Sequence, residues 1–338
     1  MTAKAPAARP RMADVARRAG VATITVSRAL ATPERVSADV RERVRAAVEA
    51  SGYVPNLAAG TLKSQRSRMV AAIVPTLRNS IFADTVEGLA EGLRVQGYQL
   101  LLASSGYSMQ AEEEILQNLL GQQPVAVVLT GTRHTPAVRA MLRGRRIPVV
   151  ETWDLSDEPI DRVVGFSNLE ASRQLTHALA ARGYRRITFA GTPPDVERRS
   201  GQRQAGYLRA VEELGLVPDV IELGDLAVSI DAGARAVDQL LARPRPPEAL
   251  FMVNDLVAFG AVQACQRRGV PVPAALAIAG FGDFEVARSS HPSLTTVRVP
   301  GDAIGRVTAE RVVAALSGND TAPRVLDLGF EVVMRGSA

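Results

Sequence analysis

From Met69 onward, short apolar runs alternate with stretches of helical period, and this alternation constrains the fold more than any other feature. The apolar runs read "MVAAIVP", "YQLLLASS", "AVVLTG" and "IPVVETW". After about residue 165 the rhythm begins again with "RITFAG", "VIELG", "ALFMVND" and "AIAGFGD". Helical spacing fills the intervals, as at 83–96, 111–122, 168–182, 200–214 and 231–242. Strand–helix alternation gives parallel sheets with helices on both faces. Two rounds predict two doubly wound lobes, with a ligand site where the C-terminal ends of their strands face each other. A chain of 338 residues has room for this α/β body and a further small domain with its own core.

That further domain is at the N-terminus, and charge singles it out. Residues 1–68 carry thirteen Lys and Arg against five Asp and Glu, a balance of +8, which leaves −3 on the rest of a chain whose total is +5. A basic head on a slightly acidic body is the layout of a protein that meets nucleic acid or another anionic surface. Within the head, "MADVARRA" (12–19) places Met12, Val15, Ala16 and Ala19 on one helical face, and Gly20 supplies a left-handed stop. "VATITVSRAL" (21–30) is rich in β-branched residues and reads locally as a strand. Its position after a Gly turn, with Thr23 available as a cap and Val26 and Leu30 four apart, makes it a second helix held by packing. Thr23, Ile24, Ser27 and Arg28 are then left on its outer face. A third helix starts at Ser37, with Val40, Val44, Ala47 and Val48 at helical spacing, and closes at Gly52. Helix, Gly turn, short helix, helix is the helix-turn-helix pattern. A three-helix interaction bundle with a merely solvated polar face is the competing reading.

After Pro55 and Asn56 comes a segment, 57–63, with Leu57, Ala58 and Leu62 at helical spacing. Two turns are marginal as an isolated helix, and Gly60 weakens them by roughly 1 kcal/mol. These pieces in this order, "MADVARRAGVATITVSRAL", "VS" at 36–37, "GYVPN" and "LAAGTLKS", resemble the lactose-repressor/galactose-repressor family of bacterial transcription regulators. The resemblance covers essentially the whole chain. It implies a helix-turn-helix domain at 10–55, a hinge helix at 56–68 and an effector-binding and dimerisation body at 69–338, of periplasmic-binding-protein type. It further implies an N-lobe of about 69–165 and 292–322, and a C-lobe of about 166–291 and 323–336. On DNA, Thr23, Ile24, Ser27 and Arg28 would reach the major groove. Arg28 suits guanine and Ile24 a thymine methyl. Ala59, Leu62 and Lys63 would meet the minor groove, with Leu62 wedged into a base step.

The same resemblance implies an effector site. "RRSGQRQAGY" (198–207) sets Arg203 three residues before Gly206, with Arg199 one turn earlier. "VND" makes Asn254 a hydroxyl partner and Asp255 a helix cap. "WD" offers Asp154, with Glu151 nearby, and "LRNSIF" offers Asn79 and Phe82. Where sugar-binding relatives carry a chelating Asp after the Gly-aromatic pair, this chain has Gly282, and Asp283 follows one residue later. Loss of that carboxylate with both arginines retained suits an anionic ligand. "VVETWDLSDEPIDRVVGFSN", "TRHTP" and "RVLDLGF" resemble the gluconate-operon repressor branch, so a sugar acid such as gluconate is the expected effector, ahead of neutral sugars and purines.

Other classes fit less well. There is no GxGxxG, Walker A or GxSxG sequence, and His134, His177 and His291 are scattered without metal-ligand spacing. No enzymatic activity, cofactor or metal is therefore expected. Cys265 is the only cysteine, and no apolar segment has signal-peptide or membrane-spanning character, so a cytoplasmic protein without membrane contact is expected. The expected partners are a near-palindromic operator duplex, the small effector and a second copy of the chain. The direction of the effector's influence is open, and a sugar-binding protein that has lost DNA binding is the remaining alternative.

Overall fold

Gly20 and Gly52 both adopt left-handed backbone (φ 64° and 61°), and each ends a helix of the N-terminal unit. The computed structural model describes residues 10–54, 67–77, 81–194, 196–224 and 229–338. It divides into two units, Met1–Ser67 and Arg68–Ala338. In the first, α1 (Met12–Ala19), α2 (Thr23–Ala31) and α3 (Ala38–Ser51) enclose Val15, Ala16, Ala19, Val26, Val44, Ala47 and Tyr53. The β-branched stretch is thus a helix, because burying Val26 outweighs a weak local propensity. Two details differ from the sequence reading. Ala22, not Thr23, holds the N-cap position of α2, and it makes no side-chain cap. Leu30 is 38% exposed rather than inward, since this small core is already filled by Val26 and its neighbours. Ser37 caps α3, accepting from Val40 N at 3.4 Å.

The second unit has two parallel sheets. One has six strands: β1 (Met69–Val74), β2 (Gln99–Ser104), β3 (Ala126–Thr130), β4 (Val149–Thr152), β5 (Arg162–Gly165) and β11 (Val325–Asp327), in the order β11-β5-β4-β3-β1-β2. Alternate residues of β1 point to opposite faces. Val70 and Ala72 meet α4 (Ala83–Val95) and α12 (Gly301–Leu316), while Ala71 and Ile73 meet α5 (Met109–Gly121) and α6 (Pro136–Arg143). The other sheet has the order β7-β6-β8-β9, from β6 (Ile187–Gly191), β7 (Val220–Glu222), β8 (Ala249–Met252) and β9 (Ala277–Ala279). It lies between α7 (Asn168–Ala181) with α8 (Arg198–Glu213) on one face and α9 (Ile230–Leu241) with α10 (Asp255–Arg267) on the other, and the short α11 (Glu285–Ser289) packs beside α10. Gly305 lets α12 approach α4 so closely that a Cβ there would stand 2.2 Å from the Thr85 carbonyl oxygen.

The returning chain corrects the expected lobe boundaries at both ends. The segment around "LTTVRVP" lies along the second sheet, where Ala279 bridges to Thr295 and Gly282 to Arg298, and β10 (Thr296–Arg298) pairs antiparallel with β12 (Glu331–Val333). The first lobe keeps α12, as expected, and receives β11, which was expected in the second. Val325–Asp327 hydrogen-bonds alongside β5, which closes an otherwise unpaired strand edge, and Leu326 and Leu328 join the first lobe's core. No helix among the described residues is long and apolar enough to cross a membrane.

Candidate functional site

The outer face of α2 carries Thr23, Ile24 and Arg28 in exposed positions, with Ser27 half-buried beside them. Ile24 is 48% exposed, a branched apolar side chain held out toward solvent by a helix whose opposite side is core. Asp14, Asp39 and Glu42 are taken up by Arg17, Arg43 and Arg45 along their own helices. Among the described residues Arg11, Arg18, Arg28, Arg35 and Arg41 have no carboxylate partner, and all five are exposed. The head thus exposes unneutralised guanidinium groups as well as one apolar and several hydroxyl-bearing side chains on α2. It can meet phosphates with the former and base edges with the latter. Ala59, Leu62 and Lys63 lie outside the described residues, as does Asn79.

In the second unit the C-terminal ends of strands from both lobes converge on a cleft. After β4, Trp153 and Asp154 turn inward, and Trp153 adopts a positive φ of 69°. Phe82, at the start of α4, meets Trp153 edge-on at 4.8 Å between ring centroids. From the second lobe come Arg199 and Arg203 on α8, Asn254 after β8, and Phe281 with Gly282 after β9. Phe82, Trp153, Arg199, Arg203, Asn254 and Phe281 all border one narrow space of about 20 Å³. A larger cavity of about 420 Å³ adjoins it, lined by Ser105, Thr130, Thr132, Asp154 and Arg198. Tyr107, Glu197 and Arg199 stand on the walls of both.

The two arginines differ in what they do. Arg203 is fixed: its Nε donates to Asn168 Oδ1 at 2.9 Å, its Nη1 to the Val253 carbonyl at 2.7 Å, and its guanidinium lies 3.9 Å over the Phe281 ring. Burial draws its pKa down to about 10, so it stays charged in the physiological range. Arg199 lies over Phe82 at 5.2 Å and donates through Nε to Glu197 Oε1 at 2.9 Å. Its Nη1 is buried with no hydrogen-bond partner among the described residues. Both are almost fully buried, at 6% and 7% exposure.

Asp154 crosses the cleft. Its Oδ2 accepts from Thr132 at 2.8 Å and from Arg198 of the other lobe at 3.3 Å. Three expected residues have other duties. Asn254 is the N-cap of α10, its Oδ1 accepting from Val257 N at 3.0 Å, the role the sequence reading gave to Asp255. Asp255 is buried instead against the next loop, accepting from Thr296 Oγ1 at 2.6 Å and Phe284 N at 2.8 Å. Burial pushes its pKa up to about 6. Asp283 does not line either space. It is paired with Arg298 at 2.7 Å and Arg335 at 2.6 Å, because its left-handed backbone (φ 55°) turns it toward the crossing strands. Gly282 does border the cleft, at φ 130°, and the Phe284 ring would lie 2.4 Å from any Cβ placed there. An aromatic ring thus lies against the glycine that stands where, by the resemblance, sugar-binding relatives carry a chelating carboxylate.

Several contributors escaped the sequence reading. Tyr107, at φ 66° after β2, has its hydroxyl pushed up to about 12, chiefly by burial and further by Glu197. Asn168 joins the lobes, donating to the Trp153 carbonyl at 3.0 Å while accepting from Arg203. Glu151 does not face the cleft. It is fully buried with His134, whose Nδ1 is 2.6 Å from Glu112 and whose Nε2 is 3.3 Å from Glu151. Burial lowers the pKa of His134, but the two carboxylates outweigh it and hold the ring at about 9. None of these pairings has a local sequence signal; each joins segments brought together only by the sheet.

Comparison with known proteins agrees with both halves of this picture. Residues 11–56 match the bacterial regulatory proteins of the lacI family, and residues 176–338 match a periplasmic binding protein-like domain. The chain is 37% identical to the HTH-type transcriptional regulator GntR of Escherichia coli strain K12 over 329 residues, 97% of this chain and 98% of that one. It is likewise 37% identical to GntR of Pseudomonas aeruginosa over 330 residues, 97% of this chain and 96% of that one. A crystal structure of a LacI-family transcriptional regulator from Silicibacter pomeroyi superposes with a TM-score of 0.90 at 30% identity, covering 97% of this chain and 99% of that one.

Proposed function

The chain belongs to the lacI family of bacterial regulatory proteins and is a DNA-binding transcriptional regulator, and from that premise we propose that a sugar acid, gluconate or close kin, bound between its lobes controls its affinity for operator DNA. The observation that carries this reading is the buried Arg199, with one guanidinium nitrogen lacking a partner among the described residues, beside a second buried arginine on a cleft wall. An uncompensated donor on a buried cation is costly, and a ligand carboxylate is the group that best relieves it. Thr132, Asp154 and Tyr107 supply hydroxyl and carboxylate groups for a polyol chain.

On DNA, two copies of the chain each place α2 in the major groove of one half-site of a near-palindromic operator, with Arg28 and Ile24 at base edges and Ala59, Leu62 and Lys63 at the minor groove. Sugar-acid binding closes the lobes and weakens operator binding. Calorimetry with gluconate, with glucose as the neutral control, tests the ligand. Operator affinity with and without gluconate tests the coupling. Saturable heat from gluconate alone and a weaker operator complex in its presence are the expected results; an operator affinity that rises with gluconate reverses the sign of the coupling, and tight glucose binding without gluconate binding refutes the ligand. A neutral sugar is the second reading, favoured by one observation: Glu197 already sits on Arg199 and balances its charge.

A further inference from the structure

The Glu197–Arg199 pair raises a question that the sugar-acid reading must answer, and the inference here rests on that reading. Glu197 is at the N-cap position of α8 but makes no side-chain cap. Its carboxylate turns to Arg199 Nε at 2.9 Å, with side-chain exposure of only 15% for Glu197 and 7% for Arg199. Arg198 and Arg199 occupy the first turn of α8, where the helix end is already positive, so this corner concentrates positive potential from two sources. Glu197 meets only part of the demand. Arg199 Nη1, on the far side of the guanidinium from the Nε–H that Glu197 accepts, stays without a partner among the described residues. Tyr107 and Arg203 lie within electrostatic range of the same carboxylate.

We propose that Glu197 is a built-in stand-in for the ligand's carboxylate. It holds the Arg199 Nε donor until a sugar acid arrives, then yields that place to the ligand's carboxylate, while Nη1, on the other side of the guanidinium, takes a hydroxyl of the same ligand. The larger cavity, on whose wall Glu197 also stands, admits the displaced side chain to water. No bond is made or broken; one carboxylate replaces another on the same cation. The arrangement also selects. An anion reaches the Arg199 Nε only by displacing Glu197, whereas a neutral polyol, with no charge to do so, binds beside the intact pair, so the carboxylate taxes anionic ligands and leaves neutral ones untouched.

The test uses the full-length protein and its Glu197→Gln variant, with gluconate and glucose by calorimetry and sodium acetate, as a bare carboxylate, by thermal melting. Gluconate should bind the variant about tenfold tighter or more, while glucose binding is unchanged. Gluconate binding that is equal or weaker in the variant overturns the exchange and leaves the sugar-acid reading intact. If neither protein takes gluconate, acetate decides. Greater stabilisation of the variant than of the parent upholds the exchange while the sugar acid falls, and equal responses overturn both. Should Glu197→Gln fail to fold, Glu197→Ala is read by the same outcomes.

Discussion

At the scale of single residues, the structure separates groups that could be read from their neighbours in sequence from groups that could not. Arg199 and Arg203 were legible because they stand at fixed offsets from Gly206 on one helix. Glu197, only two residues from Arg199, was not, since nothing local says that its side chain turns back onto that arginine. His134 is the extreme case: its partners Glu112 and Glu151 lie on separate elements, and only the order of the sheet brings them together. It carries a prediction with a definite sign. The folded ring titrates near 9, above the unfolded value of about 6.5, so its contribution is fully present below pH about 6.5 and is lost as pH rises toward 9. Urea unfolding followed by circular dichroism should show about 2–3 kcal/mol less stability at the upper end, and His134→Gln should flatten that slope. On the head, Arg28→Ala should weaken operator binding by about 1–3 kcal/mol and relax the preference at one base pair, read by competition among single-base operator variants.

Elements were more legible than residues, except where they are short. The helices read from periodicity at 83–96, 168–182 and 231–242 appear as Ala83–Val95, Asn168–Ala181 and Ile230–Leu241. Long periodic segments carry their own signal. The returning strands do not: β10, β11 and β12 have three residues each, and which lobe each joins depends on which sheet edge is open to it. Residues 21–30 show the opposite conflict, a strand-like composition folded as a helix by its tertiary neighbours. The contact between α4 and α12 is the tightest test of an element. Gly305→Ala adds about 1 kcal/mol of intrinsic helix preference, yet its Cβ would meet the Thr85 carbonyl oxygen at 2.2 Å, so the helices must separate. A net loss of about 1–3 kcal/mol in thermal or urea unfolding is expected, against near neutrality if the helices give way freely.

Over the whole molecule, the division of charge between head and body remains the most informative single fact in the sequence. It predicts that operator binding falls steeply with salt, with log affinity linear in log salt concentration. It predicts also that a chain beginning after residue 68 keeps its gluconate heat and loses operator binding; retention of specific DNA binding by that fragment would refute the assignment of the head. Between the lobes, Asp154–Arg198, the Arg199–Phe82 contact and the Asn168 bridge are the devices that join one side of the cleft to the other. Trp153 stands among them, and it is the chain's single tryptophan. Its indole N–H is committed to Thr85 Oγ1 at 3.0 Å, and its ring is 3% exposed, against Phe82. The protein therefore carries its own optical gauge of lobe position. A parting of the lobes admits water to that one indole and moves its emission to longer wavelength, so every change in the cleft can be followed in the native chain, without a label, through one chromophore whose location is already known.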